Sequence, residues 1–81
     1  MPQIDHILAT REAQYGDALE NFEKSGRVWA ALLEIDDIPA YQVALMMDAL
    51  KTVRLFRNAN HEDSWLDKEG YTRHGRDIAT Q

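Results

Sequence analysis

Apolar residues recur along this chain at steps of three and four, the spacing of a helix face, and nowhere alternate in the two-residue rhythm of a strand. Ile4, Ile7, Leu8 and Arg11 predict a first helix from Gln3 to about Gln14. Tyr15 and Gly16 are expected to break it, and Asp17 followed three residues later by Glu20 reads as a capping box for the next helix. That second helix is expected over Ala18 to Leu33, on the stripe Ala18, Phe22, Ser25, Trp29 and Leu32. Gly26 inside it predicts either a kink or the close approach of another backbone.

Glu34 to Ile38 forms a polar connection with two apolar anchors, and Pro39 suits the first turn of a third helix, capped by Asp37 or Ile38. This helix, Pro39 to Arg57, contains no internal Gly or Pro. Tyr41, Val43, Ala44, Leu45, Met46, Met47, Ala49, Leu50, Val53, Leu55 and Phe56 cover most of its circumference, which predicts a central helix or one in a subunit interface. Residues 58–62 form a turn, Asp63 or Ser64 caps a fourth helix from Trp65 to Tyr71 or Arg73, and residues 76–81 are expected to form a loose tail. The expected fold class is therefore all-α, a bundle of about four helices in one domain, with the apolar third helix at its centre.

Size sharpens this picture. With 81 residues, a chain buries only about 60% of the surface its unfolded form exposes, so dimerisation is a natural way to complete the core. There is no cysteine, which excludes disulfides, zinc–thiolate sites and thiol nucleophiles. Apolar runs such as Val43 to Met47 are far short of a membrane span, and neither a basic nor a greasy N-terminal region marks a signal peptide. A cytoplasmic location without a membrane partner is expected.

Charge is uneven. Residues 1–40 carry Arg11, Lys24 and Arg27 against eight carboxylates, whereas the remainder balances six basic groups against six acidic ones. An acidic half disfavours direct nucleic-acid binding, because affinity for nucleic acid is carried largely by phosphate neutralisation.

One polar constellation bears on chemistry. Lys51 and Arg54 lie one turn apart on the third helix, and Asp63, Asp67 and Tyr71 repeat every four residues on the fourth. A short turn makes these helices antiparallel neighbours. Facing each other, the cations and Tyr71 suit a phosphate and the carboxylates suit Mg²⁺. The commoner outcome for such groups is a structural ion-pair network. Asp48 and Lys51 are also spaced to pair within the third helix. Trp29 and Trp65 read as core, Met46 and Met47 as packing or an adaptable interface, and His6 and His74 as surface residues; His61 beside Asp63 does not make a metal site by itself. Serine-triad order, a phosphate loop and the HExxH pattern are all missing.

Arg11 with Tyr15 and Gly16, then Phe22, Trp29, the run Val43 to Met47, Lys51 with Arg54, and His61, Asp63, Ser64, Trp65, Asp67, Gly70 and Tyr71 resemble a family of short phage and prophage proteins of unassigned function. The chain is more weakly similar to a phage nucleotide-modification-associated family, and in layout to the all-α nucleoside triphosphate pyrophosphohydrolases. The resemblance implies a helical fold, a phage origin, a location in the host cytoplasm and a link to nucleotide metabolism. The pyrophosphohydrolases hold Mg²⁺ with two acidic pairs; the matching residues here are Glu20 with Glu23 and Asp63 with Asp67.

The expected function is a non-catalytic interaction module for a host or phage protein, with Tyr41, Leu45, Met46 and Trp65 as interface candidates and no cofactor. The first alternative is a nucleotide-binding or Mg²⁺-dependent hydrolytic protein using Lys51, Arg54 and Tyr71 for phosphate and Asp63, Asp67, Glu20 and Glu23 for the metal. The second is a purely structural homodimer.

Overall fold

In a computed structural model the chain forms three α-helices: α1 (Pro2–Leu33), α2 (Ala40–Arg57) and α3 (Glu62–Ala79). The structure describes the backbone of residues 2–81 and the side chains from Gly16 onward. Expectations for the side chains of Ile4, His6, Ile7, Leu8, Arg11 and Tyr15 lie outside the described residues. Among those described there is no strand.

The helix count departs from the expected four because α1 runs unbroken through Tyr15 and Gly16. No glycine adopts a positive φ, so Gly16 is an ordinary helical residue and Asp17 caps nothing. Glu20 instead pairs along the helix with Lys24 at 3.2 Å, in solvent. One helical glycine costs about 1 kcal/mol against alanine, too little to end a helix that its neighbours favour.

The end of α1 is a Schellman turn. The Ile35 N–H donates to the Ala30 carbonyl at 3.0 Å and the Glu34 N–H to that of Ala31 at 3.2 Å. Glu34 takes the left-handed position, φ 57°, usually left to glycine. The chain then doubles back over α1, which explains Gly26. A Cβ there would stand 2.2 Å from the Ile38 carbonyl oxygen, so the residue permits close backbone approach, and α1 continues through it without a break. Ile38 is thereby buried, and the Pro39 carbonyl accepts from the N–H groups of Gln42 and Val43 to start α2.

A tight turn joins α2 to α3. The Asn58 side chain accepts from the Asn60 N–H, and the Asn58 carbonyl from that of His61. The cap of α3 is His61 rather than Asp63 or Ser64: its Nδ1 accepts from the Ser64 N–H at 3.3 Å and lies 2.7 Å from the Ser64 hydroxyl. Beyond Arg73, where the last helix was expected to end, α3 continues to Ala79, and Ile78 packs against the core. Gly75 allows this by lying buried at the crossing with α2, where a Cβ would come within 3.3 Å of that of Ala44.

The core is small. Phe22 and Ala30 of α1 meet Ile38, Val43 and Ala44, with Trp29, Met47 and Tyr71 partly buried around them. Three sequence expectations change here. Leu32 lies past the contact and is exposed, Trp65 is half exposed with its indole N–H donating to the Ala59 carbonyl, and His74 sets its ring edge against Phe22 instead of facing solvent. Nor is α2 buried all round. Val43, Ala44, Asp48 and Leu55 are covered, whereas Leu45, Met46, Leu50, Val53 and Phe56 remain exposed, because α1 and α3 pack on only part of the helix.

Candidate functional site

The antiparallel α2–α3 pair carries a polar seam. Lys51 meets Asp67 at 3.0 Å, with the lysine largely covered and the aspartate half exposed. One turn earlier on α2, Asp48 is buried. Lys68 reaches its Oδ1 at 2.5 Å and the Thr72 hydroxyl donates to its Oδ2. Burial pushes the Asp48 carboxyl up, but the hydrogen bonds from Lys68 and Thr72 and the Lys68 charge outweigh this and hold it below its ordinary value of 3.8.

The two pairs run between helices, not within one: Asp48 takes Lys68, and Lys51 takes Asp67, so the expected Asp48–Lys51 pairing gives way. Each helix offers one acid and one base, so the two pairs neutralise each other across the α2–α3 contact.

Asp48, Lys68 and Thr72 were not singled out as site residues in the sequence. The available signal was a lone carboxylate in an otherwise apolar helix, opposite a lysine and a threonine four residues apart.

The rest of the expected constellation separates. Arg54 is exposed and forms no ion pair among the described residues. Asp63 is exposed in the first turn of α3, where with Glu62 it complements the helix dipole. Tyr71 turns toward α1, its ring 6.1 Å from that of Phe22, on a cleft of about 340 Å³ that Ser25, Met47 and His74 also line. A four-residue ladder drifts by about 40° per step, so Tyr71 stands about 80° round α3 from Asp63, on the side that meets α1. Glu20 and Glu23 stand exposed on α1. Among the described residues no group of three or more acidic or histidine side chains is placed to hold a metal ion.

The interface candidates also divide. Leu45, Met46 and Trp65 are exposed, whereas Tyr41 is half buried, with its hydroxyl accepting from the Gln42 amide and its carbonyl facing Gly75. The larger feature is the stripe they begin. At about 100° per residue, Leu45, Met46, Ala49, Leu50, Val53 and Phe56 share one face of α2, turned away from the seam with α3. Phe56 is 89% exposed and borders an apolar hollow of about 310 Å³ beside Trp65. No described helix is long and apolar enough to cross a membrane.

Comparison with known proteins supplies a relative and a family. The Gene 55 protein of Mycobacterium phage L5 is 38% identical over 65 residues, which cover 80% of this chain and 42% of that protein. The chain thus spans about two fifths of the length of its phage relative. No solved structure matches. Neither comparison carries the likeness to nucleotide-modification or pyrophosphohydrolase families. The family model described as Domain of unknown function (DUF6378) matches residues 3–79, nearly the whole chain, and the protein belongs to that family.

Proposed function

We propose that the chain is a non-catalytic helical interaction module that binds a phage or host protein through the outer face of α2. The observation that carries this reading is the unbroken apolar stripe from Leu45 to Phe56 on the surface. Scattered exposed apolar residues are ordinary, but a contiguous stripe rimmed by polar groups marks an interaction surface. The partner that fits is a helix or groove with an apolar strip of matching length. The charged seam does not compete for this role, since Lys51 and Asp48 are held by α3.

The test compares tagged wild-type chain with Val53→Asp and Phe56→Asp in phage-infected host lysate. Both residues are exposed, so helicity by circular dichroism is expected to be unchanged. A stoichiometric partner held by wild type and lost by both variants is the expected result. Equal recovery by wild type and variants would refute the reading.

A further inference from the structure

We infer that the partner on the outer face of α2 is a second copy of this chain, laid antiparallel across a twofold axis at Ala49. This inference rests on the reading of that face as an interaction surface.

Three observations on α2 point to self-pairing. The first is a small residue at the centre of the stripe. Ala49 stands near the midpoint of α2, and an antiparallel axis there sets Leu45 of one copy against Val53 of the other. In an isologous contact each residue meets the mirror position of its partner. A small residue at the axis lets two helices approach closely, while the large residues on each side interdigitate.

The second is charge. The connection leading into α2 carries Glu34, Asp36 and Asp37, all exposed, and its last turn carries Arg54 and Arg57, also exposed. None of these five forms an ion pair among the described residues. Antiparallel pairing sets the basic end of each helix beside the acidic connection of the other copy, whereas parallel pairing sets like against like.

The third is area. Leu45, Met46, Leu50, Val53 and Phe56 are each 44–89% exposed. Together they present roughly 500 Å² of side chain, so pairing that covers this face removes up to about 1,000 Å² from both copies, which reaches the lower bound for a specific interface. The small core makes this burial valuable, because a chain of this size gains most from an interface that extends its apolar interior.

The test uses the absence of cysteine. In Ala49→Cys the new thiol sits at the axis and is expected to crosslink readily to its own copy on mild oxidation. Glu23→Cys, exposed on α1, is not. Light scattering of wild type should give twice the 9.3 kDa chain mass. Ala49→Glu should raise the dissociation constant about 100-fold or more by placing two like charges at the axis, with helicity retained. Arg57→Glu should weaken the dimer and Asp37→Lys in the same chain should restore it. A 9.3 kDa particle across the concentration series, or crosslinking of Glu23→Cys equal to that of Ala49→Cys, would overturn the inference. A monomer that still holds a foreign protein through Phe56 overturns the second copy alone. A monomer with no Phe56-dependent partner overturns the interaction reading with it.

Discussion

Replacing Gly26 by alanine tests the account of how α1 is fastened to the rest of the protein. In an exposed helix interior this change gains up to about 1 kcal/mol, since alanine is the better helix former. Here the added Cβ would lie 2.2 Å from the Ile38 carbonyl oxygen and 3.4 Å from Val43 Cγ2. The nearer atom belongs to the backbone and cannot swing aside, so α1 and the connection must separate by about 1 Å, at the 1–3 kcal/mol typical of overpacking. The separation also loosens Ile38, whose full burial contributes roughly 1.5–3 kcal/mol. The net expectation is a loss of about 2 kcal/mol. Gly70→Ala is the control, because nothing lies within 4 Å of a Cβ at that position in α3 and the propensity gain stands alone. The variants should therefore differ by about 3 kcal/mol, or about 12–24 °C in melting temperature for a domain of this size. Thermal and urea unfolding followed by circular dichroism at one chain concentration measures both. Equal stabilisation by the two alanines would refute the close approach at Gly26.

Other changes address the seam and the helix end. Asp48→Ala strands Lys68 and Thr72 and should cost about 1–3 kcal/mol by urea unfolding, below the value for a fully buried pair because Lys68 is part exposed. The folded carboxyl of Asp48 titrates below 3.8 while the unfolded one does not, so its contribution is present above that value and lost as pH falls through the folded one. Acid unfolding below about pH 4 should accordingly be steeper for wild type than for Asp48→Asn. Lys51→Ala should cost about 0.5–1 kcal/mol, and a double-mutant cycle with Asp67→Ala should give a coupling that shrinks with added salt. Glu34→Gly relieves the left-handed residue of the Schellman turn and should raise stability by about 1 kcal/mol in the same assay.

The apolar spacing alone determined that the chain is all helix, that one helix would end at Arg57 and that a turn would follow at Asn58, because these depend on local periodicity and turn chemistry. The residues flanking Tyr15 and Gly16 look like a boundary in the same local terms. Yet a glycine costs too little to stop a helix, and only the continuous backbone of α1 shows that it does not. The candidate site divided along the same line. That α2 and α3 would lie antiparallel was legible from the short turn between them. Which charges meet was not, since register between helices depends on how Ala44 and Gly75 let the backbones approach, and that register gave Asp48 to Lys68. The circumference of α2 posed the last question. Its sequence is apolar nearly all round and so could not say which face is covered. The answer lay in the path of α1, which reaches Val43 but leaves Leu45, Met46, Leu50, Val53 and Phe56 in water.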